Sequence, residues 1–82
     1  MKKNIKYINF KKKNIFIKIK SYANMYLFVS KGNIVIDINN KKKNINKMTL
    51  VTLEKNKNYK IDSINGIFNI YYLNAEIINL ND

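Results

Sequence analysis

YANMYLFVS at residues 22–30, KGN at 31–33 and IVIDI at 34–38 set the period of this chain at two. Ala23, Met25, Leu27 and Val29 share one face of an extended strand, and Tyr22, Tyr26 and Phe28 share the other. Successive strand side chains point to opposite sides, so a run apolar on both faces marks a central strand. Gly32 can take a positive φ without steric cost and so close a tight hairpin. Ile34, Ile36 and Ile38 then alternate with Asn33, Val35 and Asp37, as an antiparallel return strand requires.

The same period extends in both directions. In residues 14–20, Ile15, Ile17 and Ile19 oppose Lys18 and Lys20, the signature of a half-buried strand. Residues 1–10 add Ile5, Tyr7 and Phe10, as an extra strand or as part of a basic arm spanning residues 1–13. Residues 39–44, NNKKKN, read as polar punctuation, and 45–53 as a strand rich in Thr and Val with Met48 and Leu50 facing away from Thr49, Val51 and Leu53. Residues 54–58 read as a turn, Tyr59 and Ile61 as a short strand, and SING at 63–66 as the second glycine turn. IFNIYYL at 67–73 is apolar on both faces and therefore central. Residues 74–82 suit either an edge strand or a helical turn. Short strands separated by frequent turns predict a single all-β domain, a small barrel or sandwich of about six to eight antiparallel strands. Leu27, Phe28, Ile36, Leu50, Phe68 and Ile70 are the expected core.

Composition narrows the chemistry. The 82 residues contain neither Cys nor His, which removes thiolate and imidazole ligands together with their nucleophilic and acid–base chemistry. Asp37, Glu54, Asp62, Glu76 and Asp82 stand apart in sequence and form no local carboxylate pair. The expectation is a protein with no catalytic residues, no metal and no cofactor. All 16 basic residues are Lys, for a net charge of +11, which attracts phosphate backbones, acidic proteins or anionic lipid. AT-rich coding accounts for the same excess of Lys, Asn and Ile without any function. Lacking the forked guanidinium of Arg, the chain has no bidentate reader of guanine, so any nucleic-acid contact is weak and sequence-blind. No apolar run approaches the ~18 residues of a membrane span, and lysines interrupt the N-terminus too often for a signal peptide. A cytoplasmic location and no membrane partner are expected.

Two lysine runs, Lys11, Lys12, Lys13 and Lys41, Lys42, Lys43, are the candidates for phosphate contact. As solvated turns beside apolar strands they would instead discourage edge-to-edge aggregation. Tyr22, Tyr26, Phe28, Phe68, Tyr71 and Tyr72 interleave with the basic segments as in a base-stacking sheet, although their apolar surroundings favour core packing. Gly32 and Gly66 lie too far apart to form a phosphate-cradling loop.

From Tyr22 onward the order of signals is more specific. LFVSKG at 27–32 ends a hydrophobic strand in a glycine turn, NIVI at 33–36 returns, LVTLEK at 50–55 leads into a turn, and IFNIYYL at 67–73 follows the second glycine. Over residues 22–80 this pattern resembles the N-terminal cupin-like domain of bacterial AraC-family transcriptional regulators, those of the enteric virulence and acid-response type above all. The resemblance implies a sensor or dimerisation domain whose partner is itself or a related AraC-type regulator. It implies a small-molecule pocket lined by Met25, Leu27, Ile36, Leu50 and Phe68. Family members continue into paired helix-turn-helix units; no helical pattern appears before Asp82, so the expectation is a domain without a DNA reader of its own. Some members hold a fatty-acid carboxylate through a Lys on the first long strand; the aligned position here is Met25, which cannot supply that charge.

Overall fold

The computed structural model describes residues 4–80. Among these residues nine strands follow one another: β1 (Lys6–Phe10), β2 (Ile15–Ser21), β3 (Met25–Lys31), β4 (Asn33–Ile38), β5 (Lys41–Asn46), β6 (Thr49–Leu53), β7 (Lys57–Ser63), β8 (Ile67–Tyr72) and β9 (Ala75–Asn79). They form two antiparallel sheets, ordered β1-β8-β3-β6 and β5-β4-β7-β2-β9. Among the described residues there is no helix, and none that could cross a membrane.

The pairings show how the chain is wound. β4 pairs with β5, β3 with β6, β2 with β7 and β1 with β8, so the first eight strands are one long hairpin folded at its middle. The fold point is Asn39-Asn40, both at positive φ (53° and 64°), the backbone of a two-residue turn whose twist suits a hairpin. Wrapping that ribbon over two faces gives the eight-stranded jelly roll, the architecture shared by cupins. β9 is added beside β2 at the sheet edge. The molecule is therefore an all-β sandwich, not a closed barrel.

Several local expectations give way to this winding. Gly32 (φ 68°) closes no hairpin: β3 and β4 lie in different sheets, and the glycine makes the corner between them. A Cβ there would lie 3.1 Å from the Asn65 carbonyl oxygen. Lys41, Lys42 and Lys43 are not punctuation but belong to β5, because only Asn39 and Asn40 are needed for the turn. Residues 45–53 are not one strand; Lys47-Met48 interrupt them where the chain passes from the larger sheet to the smaller. Residues 75–79 take the strand alternative, pairing with β2.

Inward residues of both sheets build the core: Ile15, Ile17, Ile19, Met25, Leu27, Val29, Ile34, Ile36, Ile45, Leu53, Tyr59, Ile61, Phe68 and Ile70. Phe10 stacks on Phe68 at 4.8 Å between ring centroids, tying β1 to the core. Tyr59 is buried, but its hydroxyl accepts a hydrogen bond from the Glu54 N–H (2.8 Å) and donates to the Glu54 carbonyl (3.3 Å), closing the loop before β7. Leu27, Ile36, Phe68 and Ile70 lie in the core as expected; Leu50 and Phe28 do not. Once Met25, Leu27 and Val29 point inward, Phe28 must point outward, and it is half-buried there. Leu50 pairs with Phe28 on the same outer side and is 62% exposed. The alternation along β6 was legible, but the buried side belongs to Val51 and Leu53.

Candidate functional site

The two outer faces of the sandwich have opposite chemistry. Across the four-stranded sheet, cross-strand register aligns Tyr7, Tyr71, Tyr26 and Thr52 in one row, and Asn9, Asn69, Phe28 and Leu50 in the next. Neither row holds a charge. Tyr7 is 55% and Tyr26 47% exposed. The rings of Tyr7 and Tyr71 sit 5.2 Å apart and tilted. The Tyr7 hydroxyl donates to Asn69 Oδ1 (3.3 Å), Asn9 Nδ2 donates to the same oxygen, and Asn69 Nδ2 donates to the Tyr71 hydroxyl (3.4 Å). Side chains held by one another in this way present a fixed surface and lose less conformational freedom when a partner covers them.

The five-stranded sheet carries the charge. Lys42, Asp37, Lys60, Lys18 and Ile78 form a row across its five strands, and a shallow groove there is lined by Lys18, Asp37, Asn39, Asn40, Asn58, Tyr59 and Lys60. Lys20 sits over the Tyr22 ring, whose hydroxyl donates to Glu76 Oε1 at 2.9 Å. Lys57 Nζ lies 3.0 Å from Glu54 Oε2, and that hydrogen bond, with the carboxylate charge behind it, raises the Lys57 pKa above its ordinary value.

The residues singled out from sequence do not converge. Lys11, Lys12 and Lys13 occupy the exposed turn between β1 and β2, whereas Lys41, Lys42 and Lys43 lie on β5, at the far edge of the larger sheet. Lys42 faces outward beside Asp37, while Lys41 and Lys43 alternate to the other side, opposite Ile38 and Ile36. Met25, Leu27, Ile36 and Phe68 come together between the sheets, each wholly buried against the others and their neighbours, while Leu50 stands outside. A groove of ≈ 290 Å³, lined by Asn9, Phe10, Lys11, Lys12, Ile15, Ile17 and Asn79, opens at the β1–β2 end and contains none of those five residues.

The uncharged face escaped the sequence reading because its members come from four strands distant in the chain. A local signal existed in the outward set Tyr26 and Phe28 and in the polar-outward Asn9 and Asn69, but only register assembles them. No protein-family model matches this chain, and no curated protein sequence is significantly similar to it.

Proposed function

We propose that this chain is a non-enzymatic regulatory association domain that pairs through the outer face of its four-stranded sheet with a second copy of itself or with an AraC-type regulator. The observation that carries this reading is the pair of uncharged rows on a chain of net charge +11. Like charges oppose association, so a strongly basic protein associates best where its own lysines are absent. A face of uncharged Tyr, Asn, Phe and Leu can also meet a copy of itself without opposing like charges, and a two-fold interface uses the same patch on both subunits. The jelly-roll winding agrees with the cupin-like resemblance over residues 22–80, though fold alone assigns no function.

Sedimentation velocity over a salt series tests the proposal. The dimer should tighten as salt screens the lysines, and Tyr26→Lys or Leu50→Lys should leave a monomer. A wild-type protein that stays monomeric at every salt concentration, both alone and mixed with an AraC-type regulator, refutes it. The exposed Tyr7 and Tyr26 support a second reading, a stacking platform for single-stranded nucleic acid. That complex would weaken as salt rises, the opposite response.

A further inference from the structure

The four connections that lead from odd-numbered to even-numbered strands meet at one end of the sandwich. The Asn14 N–H donates to the Ile64 carbonyl (3.1 Å), joining the β1–β2 and β7–β8 loops. Gly32 packs against Asn65 and Gly66, and the Met48 N–H donates to the Val29 carbonyl at the end of β3 (2.6 Å). This end displays Lys11, Lys12, Lys13, Lys31 and Lys47, all exposed; its connecting loops contain no acidic residue, and Asp62 near the end of β7, which lines a groove together with Ile64, is outnumbered by these five lysines. Among these cations stand two of the barest aliphatic side chains of the molecule, Met48 at 72% and Ile64 at 66% exposure. Met48 also holds a positive φ of 63°, whereas every other described non-glycine residue in that region is Asn. A Met that is both exposed and held in a conformation suited to Asn serves neither the core nor the turn, and such outliers point to function. The opposite end differs: its connections, YAN at 22–24, NN at 39–40, EKN at 54–56 and LN at 73–74, set Lys55 beside Glu54 and carry no exposed aliphatic residue, and the bare Ile5 that precedes β1 there has no cluster of lysines in the loops around it.

We infer that the loop end bearing Lys11, Lys12, Lys13, Lys31, Lys47, Met48 and Ile64 docks onto an anionic phospholipid surface. Clustered lysines are drawn to the negative leaflet, and short apolar tips enter the headgroup boundary. Adsorption of this kind needs no spanning segment. Nucleic acid fits the end less well, because none of the four connecting loops carries an aromatic ring on which a base could stack. The inference uses a different surface from the sheet face and stands independently of it.

Flotation of the full chain with vesicles tests the inference, using phosphatidylcholine alone and phosphatidylcholine containing phosphatidylserine at near-physiological salt. Binding should appear only with phosphatidylserine and fall about fivefold for each lysine replaced in Lys11→Gln, Lys12→Gln, Lys13→Gln. Met48→Asn should lower binding severalfold while raising the thermal midpoint, so that lost binding is not lost folding; Ile64→Ser should lower it as well. The inference is overturned if the protein floats with neither vesicle, or if Met48→Asn and Ile64→Ser leave flotation unchanged. Retention of a mixed-sequence DNA duplex by this end without vesicle binding would overturn it in favour of nucleic acid.

Discussion

Asn14, Asn39, Asn40, Asn56 and Met48 are the non-glycine residues with positive φ among those described. Asn tolerates the left-handed region because its short amide bonds locally to the backbone, whereas longer side chains cost about 1–2 kcal/mol there. Met48→Asn should therefore raise stability by about 1 kcal/mol, read as an increased thermal midpoint. Gly66 is needed for a different reason. A Cβ at this position would lie 2.7 Å from the Asn33 carbonyl oxygen and 2.9 Å from Ser63 Oγ, which accepts the Gly66 N–H. Gly66→Ala should destabilise by about 1–3 kcal/mol in urea unfolding, because backbone must shift to admit the methyl group.

On the scale of the strand, burial should separate residues that look alike in the sequence. Leu27 and Leu50 are both leucines in alternating runs, but Leu27 is wholly buried and Leu50 mostly exposed. Leu27→Ala should cost about 2–5 kcal/mol, and Leu50→Ala no more than about 0.5 kcal/mol, as compared by denaturant midpoints. β5 shows what its lysines do locally. It is the edge of the five-stranded sheet, with unpaired backbone groups along one side, and charged side chains keep such an edge from pairing with another molecule. Replacing Lys41 and Lys43 with Val should leave the fold intact but produce salt-independent aggregation detectable by light scattering.

For the molecule as a whole, net charge dominates. Sixteen lysines and five acidic residues make a single ion pair among the described residues, the exposed Lys57–Glu54 contact, which adds little to stability. The remaining lysines repel one another over a body whose radius of gyration is 12.0 Å. At about 0.01 M salt the screening length of ~30 Å exceeds that dimension, and at 0.1 M it falls to ~10 Å. The thermal midpoint should therefore rise with sodium chloride over this range; a midpoint that falls would show that favourable charge pairing outweighs repulsion.

Residue alternation alone was enough to identify an all-β chain, because period two is a local property: Ile15, Ile17 and Ile19 declare a strand whatever they pack against. The same locality made Leu27, Ile36, Phe68 and Ile70 legible as core. Which face of a two-sided apolar run goes inward is not local: Phe28 and Leu50 sit in apolar runs yet lie outward, paired with each other on the outer side of the sheet. Nor could Gly32 announce whether it turns a hairpin or a corner, since that depends on which sheet receives β4. Tyr7, Tyr26 and Tyr71 become one row only when the hairpin turned at Asn39-Asn40 pairs β1 with β8 and the wrapping of that ribbon lays β8 beside β3. The uncharged face and the lysine-rich loop end are thus products of long-range register and winding, which bring together residues that neighbouring sequence cannot relate.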